Sequence, residues 1–431
     1  MKKKIFQESV WSFSSKGIGI FLFLLNSSVL AHILGKEVFG EWMVIFSFFS
    51  LCHFFSLFGV NDFLRKELVQ ANSIIYRNIV QNFLPARILI SFLSGILILL
   101  MLFIFGVPFH SISPRIIFIF LVPFLLFYGI LDFLHQVFFG VYRIQFSFFL
   151  SVVEQTSFLF FLIVFSFFGE FSLFSIFSFH LFSFGLAISF GTFFFWKLTS
   201  SLEKSPLFFE RTIFSIFSSS IPYCIVQAGT YFFVYIDILL LGIFTSPMYA
   251  GAYGIAKNVI AKVPHINGAL SLSFSPVFSQ FTKRDINFQK KKRILFQYIL
   301  FNIILLLGVS LGILLFSKTF VLLIWGNQYD NVAFFLKALI PYMVSFSLLS
   351  AIGAILDYNN AIGKRSVIYV FSAFLFFLLF FCLPTTSHHI LIALSLSCAI
   401  ASFSHFFVLF QTIFSKDTPH LLRLVKDKPR S

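Results

Sequence analysis

The stretch Ile88–Phe105 reads ILISFLSGILILLMLFIF, eighteen residues without a charge. The hydrocarbon core of a bilayer is ~30 Å thick, and a helix crosses it with ~20 predominantly apolar residues. Outward from this stretch the same unit recurs, giving twelve expected spans near 11–34, 42–60, 86–106, 115–138, 147–169, 171–196, 213–242, 248–278, 294–316, 332–356, 366–383 and 388–412. The reading is an all-α integral membrane protein. Composition agrees: 59% of the 431 residues are hydrophobic, 11% are charged, and mean hydropathy is +0.96. A water-soluble domain carries about 25% charged residues. The 72 phenylalanines read as compositional bias plus lipid-facing surface.

Charge fixes the expected orientation. If the N-terminus is cytoplasmic, the inside joints and tail hold 23 of the 31 Lys and Arg residues, and the outside joints hold Lys36, Arg115 and Lys318. Such a bias is the positive-inside rule. It predicts an even number of spans with both termini in the cytoplasm. The basic run from Lys283 to Arg293 then serves as a topology anchor on anionic headgroups, and the net charge of +15 calls for no nucleic acid. Met1-Lys2-Lys3-Lys4 leads into Ile18–Leu34 without a small-residue cleavage site, so this run is expected to be an uncleaved first span. The four cysteines stand singly in apolar runs, with neither disulfide nor zinc spacing.

The chain repeats itself. Gly129-Ile130-Leu131-Asp132-Phe133 returns as Ala354-Ile355-Leu356-Asp357-Tyr358, each followed by a glycine and a base: Gly140 and Arg143, then Gly363 and Arg365. Leu34-Gly35 and Phe39-Gly40-Glu41-Trp42 return as Leu241-Gly242 and Ala250-Gly251-Ala252-Tyr253. Six spans per half insert with the same orientation, so the two six-helix lobes are expected to be related by a pseudo-two-fold axis along the membrane normal. The expected division is an N-terminal lobe over 1–197, a linker over 198–211, a C-terminal lobe over 212–415 and a basic tail over 416–431.

Charges at membrane depth are the candidate functional groups, since a Lys at bilayer centre costs ~2.5–3.5 kcal/mol on insertion scales. Lys257, Lys262, Lys16 and Arg87 are the candidates for a cationic inter-lobe cavity, which suits a phosphorylated ligand. The competing reading is snorkelling from a span end. Asp237 is a candidate for coupling, with pairing to Lys257 the alternative. Asp132 and Asp357 are candidates for gate or structural ion pairs more than for coupling, and Glu154 is a weaker candidate. His135 and His180 read as packed or hydrogen-bonded histidines. The string Gly308-Val309-Ser310-Leu311-Gly312 matches a hydrolase elbow but lies inside an apolar run, where its glycines suggest close helix packing. No phosphate-binding loop for ATP and no cofactor motif occurs, which leaves coupling to H+ or Na+ as the energy source to consider.

These words resemble a known family. Leu34-Gly35, Phe39-Gly40, Leu57-Phe58-Gly59-Val60 and Arg65 are similar to the first hairpin of Wzx-type polysaccharide-lipid flippases. That family translocates O-antigen and capsule units and belongs to the superfamily that includes the MATE multidrug and toxic compound extruders. Pro222, Asp237-Ile238-Leu239-Leu240-Leu241-Gly242 and Gly251-Ala252-Tyr253 resemble its seventh and eighth spans. Ser273-Phe274-Ser275-Pro276 resembles the end of the eighth, Trp325-Gly326-Asn327-Gln328-Tyr329 the joint before the tenth, and Gly363-Lys364 the joint after it. The resemblance implies a transporter, not an enzyme. It would flip undecaprenyl-pyrophosphate-linked oligosaccharide across the bacterial inner membrane by alternating access, alongside a polysaccharide polymerase and chain-length machinery. The rivals are a cation-coupled multidrug extruder of the same fold and a membrane-embedded polysaccharide polymerase. Lysines in place of carboxylates weigh against the first, and the short outer joints weigh against the second.

Overall fold

The computed structural model describes residues 2–61, 63–64, 68, 76–106, 114–141, 143–168, 171–200, 213–264, 266, 288–358, 361–382 and 387–414. Twelve α-helices and no strand occur among the described residues. They are α1 (Lys2–Leu57), α2 (Tyr76–Phe105), α3 (Pro114–Gly140), α4 (Ile144–Ser166), α5 (Leu173–Ser200), α6 (Ile213–Phe244), α7 (Pro247–Ile260), α8 (Phe288–Trp325), α9 (Asn331–Ala338), α10 (Ile340–Tyr358), α11 (Ile362–Cys382) and α12 (Ser387–Phe414). The expected linker and the basic tail fall almost wholly outside the described residues.

Helices are the only open-ended structure that satisfies every backbone polar group in lipid. Ten of these are long and apolar enough to cross a membrane. Two more crossings complete the expected twelve. One comes from α1, where Gly35 adopts φ 68°, a left-handed conformation that breaks the helix into two arms. Both arms run beside α7 from the same end: Gly40 abuts Pro247, Met43 meets Gly254, and Phe23 lies under Lys262. The other is the expected span 248–278, of which α7 is described and residues 267–278 are not.

The bundle therefore has two ends. One carries the Gly35, Pro247 and Gly326 turns. The other, the basic end, carries Arg143, Lys197, Lys292, Arg293 and Lys364. The two halves form two six-helix lobes, and the repeated words meet where the lobes touch. A Cβ added at Gly251 would stand 2.8 Å from the Cα of Gly40, so two backbones that correspond in the repeat are in contact across the seam. That is what a pseudo-two-fold axis passing between the words produces. Around it, Trp325 Nε1 donates to Ser27 Oγ (3.2 Å), Tyr329 donates to the Ala31 carbonyl (3.2 Å) and Ser28 donates to the Ile324 carbonyl. The Gly35 end of the seam is closed.

Much of the phenylalanine surplus faces outward, with Phe103, Phe167, Phe168, Phe381 and Phe403 three-quarters or more exposed. Two packing expectations change. Gly308 and Gly312 on α8 have nothing within 4 Å of a would-be Cβ, so they mediate no helix contact. Their counterpart on the third helix of the first lobe, Gly95 on α2, does abut its neighbour: Val122 of α3 would lie 3.1 Å from an added Cβ. Third helix and fourth thus pack closely at mid-membrane in the first lobe, whereas in the second they meet near the basic end, where Tyr298 donates to the Ala351 carbonyl (3.3 Å).

Candidate functional site

The second lobe holds a buried ion pair. α6 carries Asp237 and α7 carries Lys257, and both side chains are fully buried with Nζ 2.8 Å from a carboxylate oxygen. Tyr253, one helical turn before Lys257, donates its hydroxyl to the same carboxylate. The Tyr342 ring of α10 covers the ammonium at 3.3 Å from Nζ, a cation–π contact. Lys257 was expected to face a cationic cavity; here it faces a carboxylate inside the lobe, the alternative weighed for Asp237.

The first lobe holds a buried arginine. Arg87 on α2 is fully buried, donates to the Gly129 carbonyl (3.3 Å) and the Ser56 carbonyl, and lies flat over Gly129, where any Cβ would meet its Nη2 at 2.7 Å. Asp132, one turn beyond Gly129, accepts from Asn61 Nδ2 (2.6 Å) and Gln136 Nε2 (3.4 Å) and lies within electrostatic reach of Arg87. In the second lobe Arg365 lies over Gly353 in the same manner and pairs with Asp357. Asp357 thus forms an ion pair with the base that follows it in sequence. Arg143 is exposed at the basic end, and the base beside Asp132 comes from the helix before it.

A third group spans the lobes. Asn26 on α1 donates to Gln155 Oε1 (2.9 Å) and to the Gln155 carbonyl (3.1 Å). The adjacent Glu154 lies within electrostatic reach of Lys262, which follows α7 and rests its ammonium 4.4 Å over Phe23. Farther along the seam His53 packs 4.3 Å from Tyr128 and 6.0 Å from Tyr231 of α6, ring to ring. The fourth cationic candidate, Lys16, lies on α1 with its side chain outside the described residues. The four proposed cations are therefore not one cluster: Lys257 is locked inside the second lobe, Arg87 is buried in the first within electrostatic reach of His53 and Tyr231 at the seam, and Lys262 lies at the seam nearer Glu154. Sequence reasoning missed Asn26, Gln155, His53, Tyr128 and Tyr231. Its available signal was polar side chains inside spans, since an uncharged amide in lipid also seeks a partner. His180 stacks on Phe158 at 3.8 Å and His135 hydrogen-bonds Ser147 (2.7 Å), the packed roles expected.

The sequence pattern of a family described as "Polysaccharide biosynthesis protein" matches residues 5–282. The chain belongs to that family. One relative, a "Probable low-salt glycan biosynthesis flippase" of Haloferax volcanii, is 25% identical over 167 residues, 39% of this chain and 34% of the relative. The matched part is thus about a third of that relative's length. Among solved structures, the inward-facing conformation of a MATE-family multidrug resistance transporter superposes with a TM-score of 0.70 at 13% identity, covering 98% of this chain and 100% of that one. An outward-facing conformation, with the same family description, scores 0.64 at 13% identity over 96% of each chain. A transporter of the same superfamily from Pyrococcus furiosus scores 0.66 at 15% identity, again over 96% of each. These superpositions establish the fold: the twelve-helix, two-lobe architecture of MATE transporters. This member of the polysaccharide biosynthesis family is thus a multi-pass membrane protein with the fold of MATE transporters.

Proposed function

We propose that the chain moves undecaprenyl-pyrophosphate-linked oligosaccharide from the cytoplasmic to the outer leaflet of a bacterial inner membrane by alternating access. In this reading the basic end is cytoplasmic, the lobes divide at 1–197 and 212–415 around the 198–211 linker, and the polymerase and chain-length machinery act on the product. The observation that carries it is the composition of the seam. Asn26, Gln155 and Glu154 offer amide and carboxylate groups, His53, Tyr128 and Tyr231 offer ring faces, and Lys262 offers a charge. Sugars are bound through such hydrogen-bonding groups and ring faces, and a pyrophosphate is bound through cations. One end is closed by the Gly40–Gly251 backbone contact together with the buried side chains of Trp325 and Tyr329, so opening it must part both.

The drug-extruder rival finds less support here. Asp237 and Asp357, the carboxylates it would use, already hold the tethered cations Lys257 and Arg365. Coupling to H+ or Na+ belongs to the proposal too, and either ion would have to displace Lys257 to reach Asp237. The test is reconstitution in proteoliposomes with a fluorescent lipid-linked oligosaccharide and dithionite reduction of exposed label. Transfer between leaflets is expected. Absence of transfer, with efflux of a cationic dye in its place, would favour the extruder.

A further inference from the structure

The second lobe contains a crevice whose walls all belong to that lobe, away from the seam. It lies between α8, α10 and α12 and has a volume of about 330 Å³. Tyr298, Asn302, Ser345, Ala351, Ala399 and Phe403 are among its walls. It opens sideways to lipid: on its lining Ile303 is 40%, Phe406 45% and Phe403 75% exposed. Asn302 Nδ2 is spent on the Tyr298 carbonyl (2.7 Å), the Tyr298 hydroxyl on the Ala351 carbonyl (3.3 Å) and Ser402 Oγ on the Ser345 carbonyl; apart from the unpartnered Asn302 Oδ1, the wall offered to a chain is largely apolar. The first lobe fills the matching position, because α2 and α3 close on each other through Gly95 and Val122.

Depth and charge identify an occupant. Tyr298 and Ile303 lie five and ten residues beyond Arg293, about 8 and 15 Å along the helix. Ala351 stands six residues before Asp357, about 9 Å from the same end. The crevice thus occupies the leaflet at the basic end, since half of the hydrocarbon core is about 15 Å. Lys292 and Arg293 are exposed at that end of α8, two adjacent cations where the headgroup of a crevice-bound chain would lie. Adjacent cations match a pair of linked phosphates. We propose that this crevice seats a segment of the polyprenyl chain of a polyprenyl pyrophosphate, with the pyrophosphate held by Lys292 and Arg293. It is a docking site beside the pathway, and it rests on the flippase reading for its role in loading.

The test places the photoreactive residue p-benzoylphenylalanine at Ile303 or Phe403, with a control at Leu323, which is lipid-facing near the opposite end of α8. The full chain sits in nanodiscs of phosphatidylethanolamine and phosphatidylglycerol with a minor fraction of polyprenyl pyrophosphate. Adducts to the polyprenyl chain should be enriched several-fold at Ile303 and Phe403 over Leu323. The enrichment should fall on Ala399→Phe, which fills the crevice, and on Lys292→Glu with Arg293→Glu. Adducts in proportion to bilayer composition, or enrichment of phosphatidylglycerol instead, would overturn the site. Enrichment without oligosaccharide transfer in proteoliposomes would retain the site and remove the transport reading; transfer without enrichment would do the reverse.

Discussion

The two lobes fill one equivalent position in opposite ways. By the repeated words, Leu30, Trp42 and Phe46 of the first lobe correspond to Asp237, Tyr253 and Lys257 of the second. In the first lobe Leu30 is buried in an apolar core, and Trp42 and Phe46 stack at 5.3 Å beside His180. In the second lobe the same places hold an ion pair, a tyrosine hydroxyl and a ring over the ammonium. The backbone arrangement accepts an apolar filling, so the fold does not require the charges. Desolvating two ions costs several kcal/mol each, which their attraction repays only in good geometry. Retaining the pair in one lobe alone points to a role in the transport cycle.

Breaking this asymmetry should give the largest effect. Asp237→Ala leaves Lys257 buried and unpaired, and Lys257→Ala leaves the carboxylate so; each should cost about 3–5 kcal/mol. The double change Asp237→Leu with Lys257→Phe imports the first lobe's residues. It should recover most of the lost stability in detergent melts yet leave oligosaccharide transfer near background. Wild-type transfer by the double variant would make the pair a structural staple and nothing more.

The seam should respond next. Even a methyl at Gly40 would meet the Pro247 carbonyl, so Gly40→Ala should cost about 1–3 kcal/mol through overpacking. Because the contact closes the Gly35 end, the loss should fall on the closed state: a cysteine at Ser27, now beneath Trp325, should label faster with a hydrophilic maleimide. Unchanged labelling would separate this contact from the gate.

A smaller difference should distinguish the two arginine–glycine–aspartate sets. Arg87 is fully buried, and Asp132→Asn removes its nearby carboxylate where water cannot substitute; about 1–3 kcal/mol is expected. The Asp357 side chain is 36% exposed, so solvent screens its bond to Arg365 and Asp357→Asn should cost under about 1 kcal/mol. Equal losses in thermal melts would mean that the sets are energetically alike despite their burial.

The legible part of this molecule is the part set by solvent. Twelve apolar runs, the turn at Gly35 and the two-lobe duplication follow from hydropathy and repeated words, because lipid permits little besides helices. Partners were harder to read. Asp357 finds Arg365 eight residues away, within reach of one turn between helices, whereas the base beside Asp132 is Arg87, 45 positions earlier, and nothing local marks it. The amides Asn26 and Gln155 were passed over because their hydrogen bond spans 129 positions and neither carries a charge to flag it. Lys257 was conspicuous for its charge, but its carboxylate lies on the preceding helix, and depth alone does not separate a cavity wall from a lobe interior.

The smallest effect tests the third helices of the two lobes. Both α2 and α8 carry glycine in mid-membrane, and sequence gives no reason to treat them differently. The structure does. Gly308 and Gly312 face open space, so Ala at either meets no atom and should gain helix propensity, about 0.5–1 kcal/mol by soluble standards. Gly95→Ala gains the same propensity but presses on Val122 at 3.1 Å, so its net change should be near zero or unfavourable. Melting temperatures of the three variants at matched detergent concentration decide this. If Gly95→Ala stabilises as much as Gly308→Ala, then α2 and α3 are not in close contact. The contrast at mid-membrane between a sealed third helix in the first lobe and an open one in the second would then fall, taking with it the reason for the crevice on one side alone.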